Sequence, residues 1–416
     1  MKKSLFFAGI GGAGMAPLAR IALARGYRVT GSDRELNQYT AELAGMGAII
    51  HAGHCAANLP EDCDLLVYSS AVPEDNPERS AARSRKIPEM RRGAFLAEIA
   101  RDYSCSIAVS GTHGKTSTTA MLVWILQKCG KKPGYLIGGS VPGLRSGEAG
   151  DGSLFVTEAD ESDGTHVLLR PSIGIIPNIE DDHAWSVGGQ EQLFQNFRTF
   201  AGNCGKVIVP QDTAAGFFQA DGLDMNVPGP AGFCGFQKTD ALLAAAGAEV
   251  LGIAREEAFA ALAEFPGVKR RMTLRFQSEE LTIVEDYAHH PTEVAAAVAL
   301  LRERYPEKHL HVLIQPHRYA RLAQYFDRFA AELRKADSVS VSPVFAAWTE
   351  TGDLGSAELA AAIGPQAEYL SGSWEEIGNA VLQHPGRPMV LAVLGAGDVE
   401  KVFQFLPSSA AGQGGE

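Results

Sequence analysis

The sequence is short of several things, and each shortage narrows what the protein can be. It has six cysteines in 416 residues (Cys55, Cys63, Cys105, Cys129, Cys204 and Cys234), scattered and without a Cys-x-x-Cys pair. That pattern gives neither a disulfide framework nor a cysteine zinc site, and it fits reduced thiols in the cytoplasm. No apolar run is long enough to cross a bilayer, which argues against membrane insertion. Met1-Lys2-Lys3-Ser4-Leu5-Phe6-Phe7 begins like a signal peptide. The run breaks at once into Gly9-Ile10-Gly11-Gly12-Ala13-Gly14, so a first strand is the better reading. Positive charge is also in deficit. Against 49 Asp and Glu stand 37 Lys and Arg, and the net charge of −12 argues against nucleic acid or an anionic membrane as the main partner. Anionic substrates would need local basic pockets. No internal repeat is present.

What is there describes a globular chain. A hydrophobic content of 45% with 21% charged residues suits a soluble protein, and 416 residues exceed one ordinary core, so two or three domains are expected. The densest signal is Ser106-Ile107-Ala108-Val109-Ser110-Gly111-Thr112-His113-Gly114-Lys115-Thr116-Ser117. A β-branched apolar run enters a Gly-flanked turn, and Lys-Thr opens a helical pattern from Thr118 to Leu126. That is the grammar of a phosphate loop, in which backbone N–H groups and a helix N-terminus hold phosphate oxygens. Lys115 would reach the outer phosphates and the Thr116 hydroxyl would ligate Mg²⁺. The first glycine of the usual GxxxxGK[ST] spacing is replaced by Val109, and a chance strand-turn-helix is the alternative reading.

Upstream, Leu5 to Ile10 forms a buried-strand run followed by Gly9, Gly11 and Gly14 at GxGxxG spacing and a helix pattern from Met15 to Ala24. A second strand, Tyr27 to Thr30, closes on Gly31-Ser32-Asp33. A glycine turn with an acidic residue after the second strand holds a nucleotide's diphosphate and ribose, here a dinucleotide or a UDP-sugar, or else marks tight packing. His51 and His54 fall in a loop-like stretch and are expected at the surface.

Downstream, the strand Leu154–Thr157 delivers Glu158-Ala159-Asp160-Glu161-Ser162-Asp163, and the strand Ile173–Ile176 leads to Asn178-Ile179-Glu180-Asp181-Asp182-His183. Carboxylates at strand ends beside a phosphate loop suit Mg²⁺, with a solvated acidic loop as the alternative. His183 is either a cation ligand or structural. Pro266-Gly267-Val268-Lys269-Arg270-Arg271 has the makings of an interdomain hinge carrying cations, or of a solvated basic turn. The strand Leu281–Val284 runs into Glu285-Asp286-Tyr287-Ala288-His289-His290-Pro291, with a helix Thr292–Arg304 behind it. The strand Leu310–Ile314 ends in Gln315-Pro316-His317-Arg318-Tyr319-Ala320-Arg321, whose arginines can grip a carboxylate. Strands Ser338–Val341 and Val390–Leu394 complete the pattern, and Ser408 to Glu416 is expected to be a disordered tail.

In order along the chain, GIGGAGM, GSD, SSAV, SGTHGKTST, TEADESDG, NIEDDH, GVKRR, EDYAHHPTEV, QPHRYAR and LGAGD resemble the Mur ligases of peptidoglycan synthesis. The resemblance runs from Gly9 to Asp398. It implies an α/β fold of three domains: a Rossmann-like UDP-sugar-binding domain over 1–103, a central P-loop ATP-binding domain with a mostly parallel sheet over 104–270, and a C-terminal Rossmann-like amino-acid-binding domain over 271–416. It implies an ATP- and Mg²⁺-dependent ligase that joins L-alanine to UDP-N-acetylmuramate, as a monomer or homodimer. Alternatives are a tripeptide-recycling ligase and a non-catalytic nucleotide-binding relative.

Carried onto this sequence, the resemblance assigns Gly111, Thr112, His113, Gly114, Lys115, Thr116, Ser117, Arg271 and Asp286 to ATP. Thr116, Glu158 and His183 go to the metal. Gly11, Gly12, Ala13, Gly14, Asp33, Ser69 and Ser70 go to the UDP-sugar, and Tyr287, His317, Arg318 and Arg321 to the amino acid. Lys115, His183, Arg271 and His290 would be catalytic, with His290 or an ordered water as the base for the incoming amine. The chain departs from the family where asparagines are expected at the adenine, with Gln237 and Asp240 in their place. It has Ala184-Trp185 after His183, and it is short between Phe200 and Gly235.

Overall fold

Runs of apolar residues buried on both faces form the middle of three sheets, which is how parallel strands covered by helices are built. The computed structural model describes residues 3–182, 187–218, 222–347, 352–386 and 388–408. The first sheet contains β1 (Ser4–Ala8), β2 (Arg28–Asp33), β3 (Ile49–Ala52), β4 (Leu65–Tyr68) and β5 (Glu89–Arg91), in the order β3-β2-β1-β4-β5 and parallel throughout. The second contains β6 (Cys105–Val109), β7 (Gly134–Leu136), β8 (Gly147–Glu148), β9 (Leu154–Glu158), β10 (Ile173–Ile175) and β11 (Lys206–Ile208). Its order is β11-β10-β6-β9-β7-β8, with only β8 antiparallel. The third contains β12 (Thr273–Gln277), β13 (Leu281–Asp286), β14 (His309–Ile314), β15 (Ser338–Val341), β16 (Ala367–Tyr369) and β17 (Met389–Leu394). Its order is β12-β13-β17-β14-β15-β16, with only β12 antiparallel.

These strands make two compact bodies. Met1–Phe233 with Gln237–Pro266 carries the first two sheets, and Cys234–Phe236 with Gly267–Glu416 carries the third. Within the first body the two sheets share one apolar core that includes Phe7, Phe95, Phe155, Phe197 and Phe200. Polar contacts join them as well: Arg92 pairs with Asp163 at 3.1 Å, and Arg20 donates to the Gly147 carbonyl at 3.3 Å.

In each sheet the strand order reverses at a central strand, which opens a crevice at the strands' C-terminal ends, where open α/β sheets take ligands. Beside β1 lie the turn Gly9–Gly14 and the segment after β4. Beside β6 lie the ends of β9 and β10, and beside β17 lie the ends of β13 and β14. The strands expected from Leu5, Leu154, Ile173, Leu281, Leu310, Ser338 and Val390 are all present to within a few residues. His51 lies in β3. His54 is a correction to the surface reading, because its Nδ1 lies 2.9 Å from the buried Glu78 carboxylate, which also accepts from Ser32 Oγ at 2.8 Å. The tail expected to be disordered lies, but for Ser408, outside the described residues.

Candidate active site

The phosphate-loop stretch is a tight turn between β6 and the helix Lys115–Lys128. Gly114 caps that helix at φ +81°, and a Cβ there would come within 2.4 Å of Asp240 Oδ1, so only glycine fits without a shift. The loop is braced from β10's exit. Thr112 N donates to the Asn178 carbonyl at 3.2 Å, His113 N to Asn178 Oδ1 at 2.9 Å, and Glu180 N to Thr112 Oγ1 at 2.8 Å. Asn178 thus holds both sides of the turn, returning a bond from Nδ2 to the His113 carbonyl at 3.1 Å.

Lys115 folds back over this turn. Its Nζ donates to the Gly111 and Thr112 carbonyls at 2.7 and 3.1 Å and pairs with Glu161 Oε2 at 2.8 Å. Burial works against the ammonium, but the charges of Glu161 and Asp160 outweigh it and raise Lys115 above its usual range. Burial pushes the Glu161 carboxyl up to about 7 against the pull of Lys115. For Asp160 burial is again the largest influence, and Lys115 with the Ser162 hydroxyl overcomes it and holds the carboxyl low. Thr116 Oγ1 donates to Glu158 Oε2 at 2.8 Å, and Glu158 Oε1 accepts from Gly138 N. A hydroxyl and a carboxylate from two elements therefore meet at the helix N-terminus, as hard oxygen donors suited to Mg²⁺.

In the first sheet, Asp33 Oδ2 accepts from Gly11 N at 2.8 Å, and Asn37 Nδ2 donates to the Gly11 carbonyl at 3.0 Å. Asp33 therefore shapes the glycine turn directly. Gly9, at φ +79°, would put a Cβ 3.4 Å from Ser69 Cβ, so the turn and the segment after β4 line one crevice. Gly14 lies against Arg92.

The second body gathers a different set at the ends of β13, β14 and β15. Asp286 accepts from Met272 N and Ala288 N, each at 2.8 Å, and burial raises its carboxyl to about 6. Arg271 pairs with Glu293 Oε1 at 3.4 Å and lies 5.2 Å from the Tyr287 ring. Burial lowers its guanidinium, and Glu293 with Asp286 more than reverses that. The rings of Tyr287, His289, His317 and Phe345 form a row with centroid spacings of 5.4, 5.6 and 5.5 Å. Burial, then the neighbouring His289, Arg321 and Arg318 charges, push His317 down to about 3, so it is neutral and can accept from Arg321 Nη1 at 3.3 Å. Arg318 stands at φ +68°, an uncommon backbone conformation for a residue with a side chain. His290 is the N-cap of the helix Pro291–Arg304: its Nδ1 accepts from Thr292 N at 3.4 Å, and its ring packs edge-on to Tyr325.

Three family descriptions match this chain in order: "Mur ligase family, catalytic domain" over residues 5–104, "Mur ligase middle domain" over 109–224, and "Mur ligase, glutamate ligase domain" over 270–397. The UDP-N-acetylmuramate–L-alanine ligase of Syntrophomonas wolfei is 34% identical, over 98% of this chain and 98% of its own length.

The chain belongs to the Mur ligase family.

The corresponding enzyme of Aquifex aeolicus is also 34% identical, over 96% of each chain. Among solved structures, the UDP-N-acetylmuramate-alanine ligase of Thermotoga maritima superposes with a TM-score of 0.78 at 27% identity, covering 97% of this chain and 98% of that one. A murein peptide ligase from Psychrobacter arcticus shares the fold with a TM-score of 0.65 at 24% identity, over 97% and 98%. The Syntrophomonas alignment spans 463 positions against this chain's 416 residues, so that relative carries segments this Mur ligase lacks.

In this Mur ligase, Gly111 to Gly114 form one turn, Lys115 to Ser117 open the helix behind it, and Thr116 meets Glu158. Asp33 meets the turn Gly11–Gly14. Arg271, Asp286 and Tyr287 form one group, and His317 and Arg321 another. His183, with Ala184 and Trp185 after it, lies outside the described residues. Asp240, expected near the adenine, is buried beneath Gly114, and its Oδ1 accepts from Thr118 Oγ1 at 3.3 Å. Sequence reasoning gave no role to Glu293 or Asn178. Glu293 stands three residues after His290, and its Oε2 accepts from His289 N and His290 N at 3.0 and 3.3 Å. That is a capping-box spacing which would have found it. Asn178 has no such signal, because its partner is 65 residues away.

Proposed function

We propose that this Mur ligase joins L-alanine to UDP-N-acetylmuramate at the expense of ATP, through an acyl phosphate. The observation that carries the reading is the turn at Lys115, where a half-buried lysine paired with Glu161, a helix N-terminus and the Thr116–Glu158 pair converge in a chain matched end to end by UDP-N-acetylmuramate–L-alanine ligases. A carboxylate is a poor acyl donor because its oxygen leaves badly. Its attack on the γ-phosphorus breaks the bond to ADP and gives a mixed anhydride. The amine nitrogen then attacks the acyl carbon, inorganic phosphate leaves, and the amine loses a proton.

In this reading Gly111 to Ser117 hold the triphosphate, and Lys115 and Arg271 offset its charge. Asp286 contacts the nucleotide. Residues Gly11 to Gly14, Asp33, Ser69 and Ser70 hold the UDP-sugar. Tyr287, His317, Arg318 and Arg321 take the amino acid, with the arginines on its carboxylate. Thr116 and Glu158 would hold Mg²⁺, together with His183, and the oxygen pair fits that ion. When bound, it supplies charge neutralisation across the phosphates. His290 is proposed to accept the amine proton. With Nδ1 committed to the helix cap, that role would fall to the buried Nε2. The domain limits 1–103, 104–270 and 271–416 go with this reading, one substrate to each, as does a cytoplasmic location. Among the described residues no helix is long and apolar enough to cross a membrane.

Mass analysis of the product tests the acceptor. With ATP, Mg²⁺, UDP-N-acetylmuramate and an equimolar mixture of L-alanine and the tripeptide L-alanyl-γ-D-glutamyl-meso-diaminopimelate, the expected product carries alanine alone. A tripeptide product would make the chain a peptide-recycling ligase instead.

A further inference from the structure

The third sheet carries a second cluster of chemically capable side chains that the ligase reaction does not use. His309 and His311 are two residues apart on β14, so their side chains project from the same face. His384 comes from the turn between the helix Trp374–Leu382 and β17. Its ring lies 4.9 Å from that of His309 and 4.6 Å from that of His311. One ring nitrogen from each of the three lies within 4.8 Å of the others.

The chain is shaped to bring them together. A Cβ at Gly386 would fall 2.5 Å from the His309 ring, so a glycine two residues past His384 lets the turn lie across β14. The surroundings are those of an oriented imidazole set. Ser338 Oγ is 2.8 Å from His309 Nε2 and 2.6 Å from His311 Nδ1, and Ser340 Oγ is 3.0 Å from His311 Nε2. Glu368 accepts from Ser340 Oγ at 3.2 Å, and the Asp337 carboxylate stands 4.0 Å from His309 Nδ1. His311 is buried, while His309 and His384 are half-buried and open a side toward solvent.

We propose that His309, His311 and His384 form a binding site for one divalent transition-metal ion of imidazole preference, Zn²⁺ being the type. Three neutral imidazoles with one position left for water is a ligand set that Zn²⁺ accepts, whereas Mg²⁺ prefers oxygen. Metal–nitrogen bonds of about 2.1 Å in tetrahedral geometry place the nitrogens about 3.4 Å apart, so ring rotations of about an ångström close the set. His311 would give up one serine contact to the ion and keep the other, which then orients its ring. The ion would tie the turn before β17 to β14. It would stabilise the second body from the end of β14 remote from His317, roughly 20 Å along the strand from His311.

The test is titration of the full-length, metal-stripped chain with Zn²⁺ by calorimetry, and with Co²⁺ by visible absorption, with Mg²⁺ present throughout. Wild type is expected to bind one equivalent and to melt several degrees higher with Zn²⁺. His384→Gln and His309→Gln should each weaken that binding at least about tenfold. Both should keep wild-type ATP turnover in buffer that contains Mg²⁺ and is stripped of transition metals, which reports an intact fold. Absence of stoichiometric binding by wild type overturns the proposal. So does binding that both variants retain, since the ion would then sit on other histidines or on the cysteines.

Discussion

The phosphate-loop region of the first body and the arginine–histidine region of the second use the same device, the C-terminal ends of adjacent parallel strands, but they assemble it differently. The first is one contiguous turn. Its shape is held by Asn178, which bonds the backbone at Thr112 and His113, and by the Thr112 hydroxyl, which accepts from Glu180 N, and its cation is already seated on the turn's own carbonyls. The second is made of side chains brought together from separate strand ends, with Asp286 closing β13 and His317 and Arg321 following β14. A site of backbone groups tolerates few changes in its chain path, because each N–H has one direction to point. A site of side chains can be retuned residue by residue. That contrast suits a chemistry in which the triphosphate is constant and the amine varies.

Four substitutions would break or sharpen the contrast. The largest effect is expected for Lys115→Ala, which should lower phosphate release by about a hundredfold to a thousandfold at saturating substrates, and should also lower the melting temperature because the buried Glu161 loses its partner. Next is Arg321→Ala. Removing a charged hydrogen-bond donor from the amine substrate's carboxylate should raise the KM for L-alanine by about tenfold to a hundredfold. The KM for ATP should stay unchanged, and an equal rise in both would show that Arg321 supports the whole body instead.

Gly114→Ala probes the backbone-built site. With φ at +81° and Asp240 Oδ1 only 2.4 Å from the new Cβ, it should cost about 1–3 kcal/mol in denaturant unfolding. The smallest effect is a pH dependence. The Asp286 carboxyl is raised to about 6 in the fold, above its unfolded value, so the folded chain binds the extra proton. Its stabilising contribution is present at low pH and is lost as pH rises through about 6. Asp286→Asn should therefore gain on wild type between pH 4 and pH 8, by on the order of 2 kcal/mol, in urea midpoints at the two ends. A change of opposite sign would mean that the charge of Arg271 outweighs burial.

The sequence made the central strands plain, since β1, β6, β9, β13 and β17 are apolar runs buried on both faces. It also made the phosphate turn plain, since its residues are consecutive. It did not reveal β12, whose Thr273-Leu274-Arg275-Phe276-Gln277 is a largely exposed edge segment with a register shift between Leu274 and Phe276. Nor did it reveal the two-residue strand β8. In the candidate site, what stayed hidden is what only sheet order brings together: Asn178 against the loop, Asp240 beneath Gly114, and His384 beside His309 and His311. Arg318 and Arg321 were legible because they follow a strand end directly. Arg321's pairing with a neutral His317 was not, since it depends on how deeply that ring is buried.

The most direct test of the central claim is phosphate release from ATP with Mg²⁺ and UDP-N-acetylmuramate, measured with and without L-alanine in wild type and Lys115→Ala. Release is expected to depend on both the UDP-sugar and alanine, and to fall by at least about a hundredfold in the variant. Tight UDP-sugar binding with no release for any amine would contradict it, leaving a nucleotide-binding protein that has kept the family's fold without its chemistry.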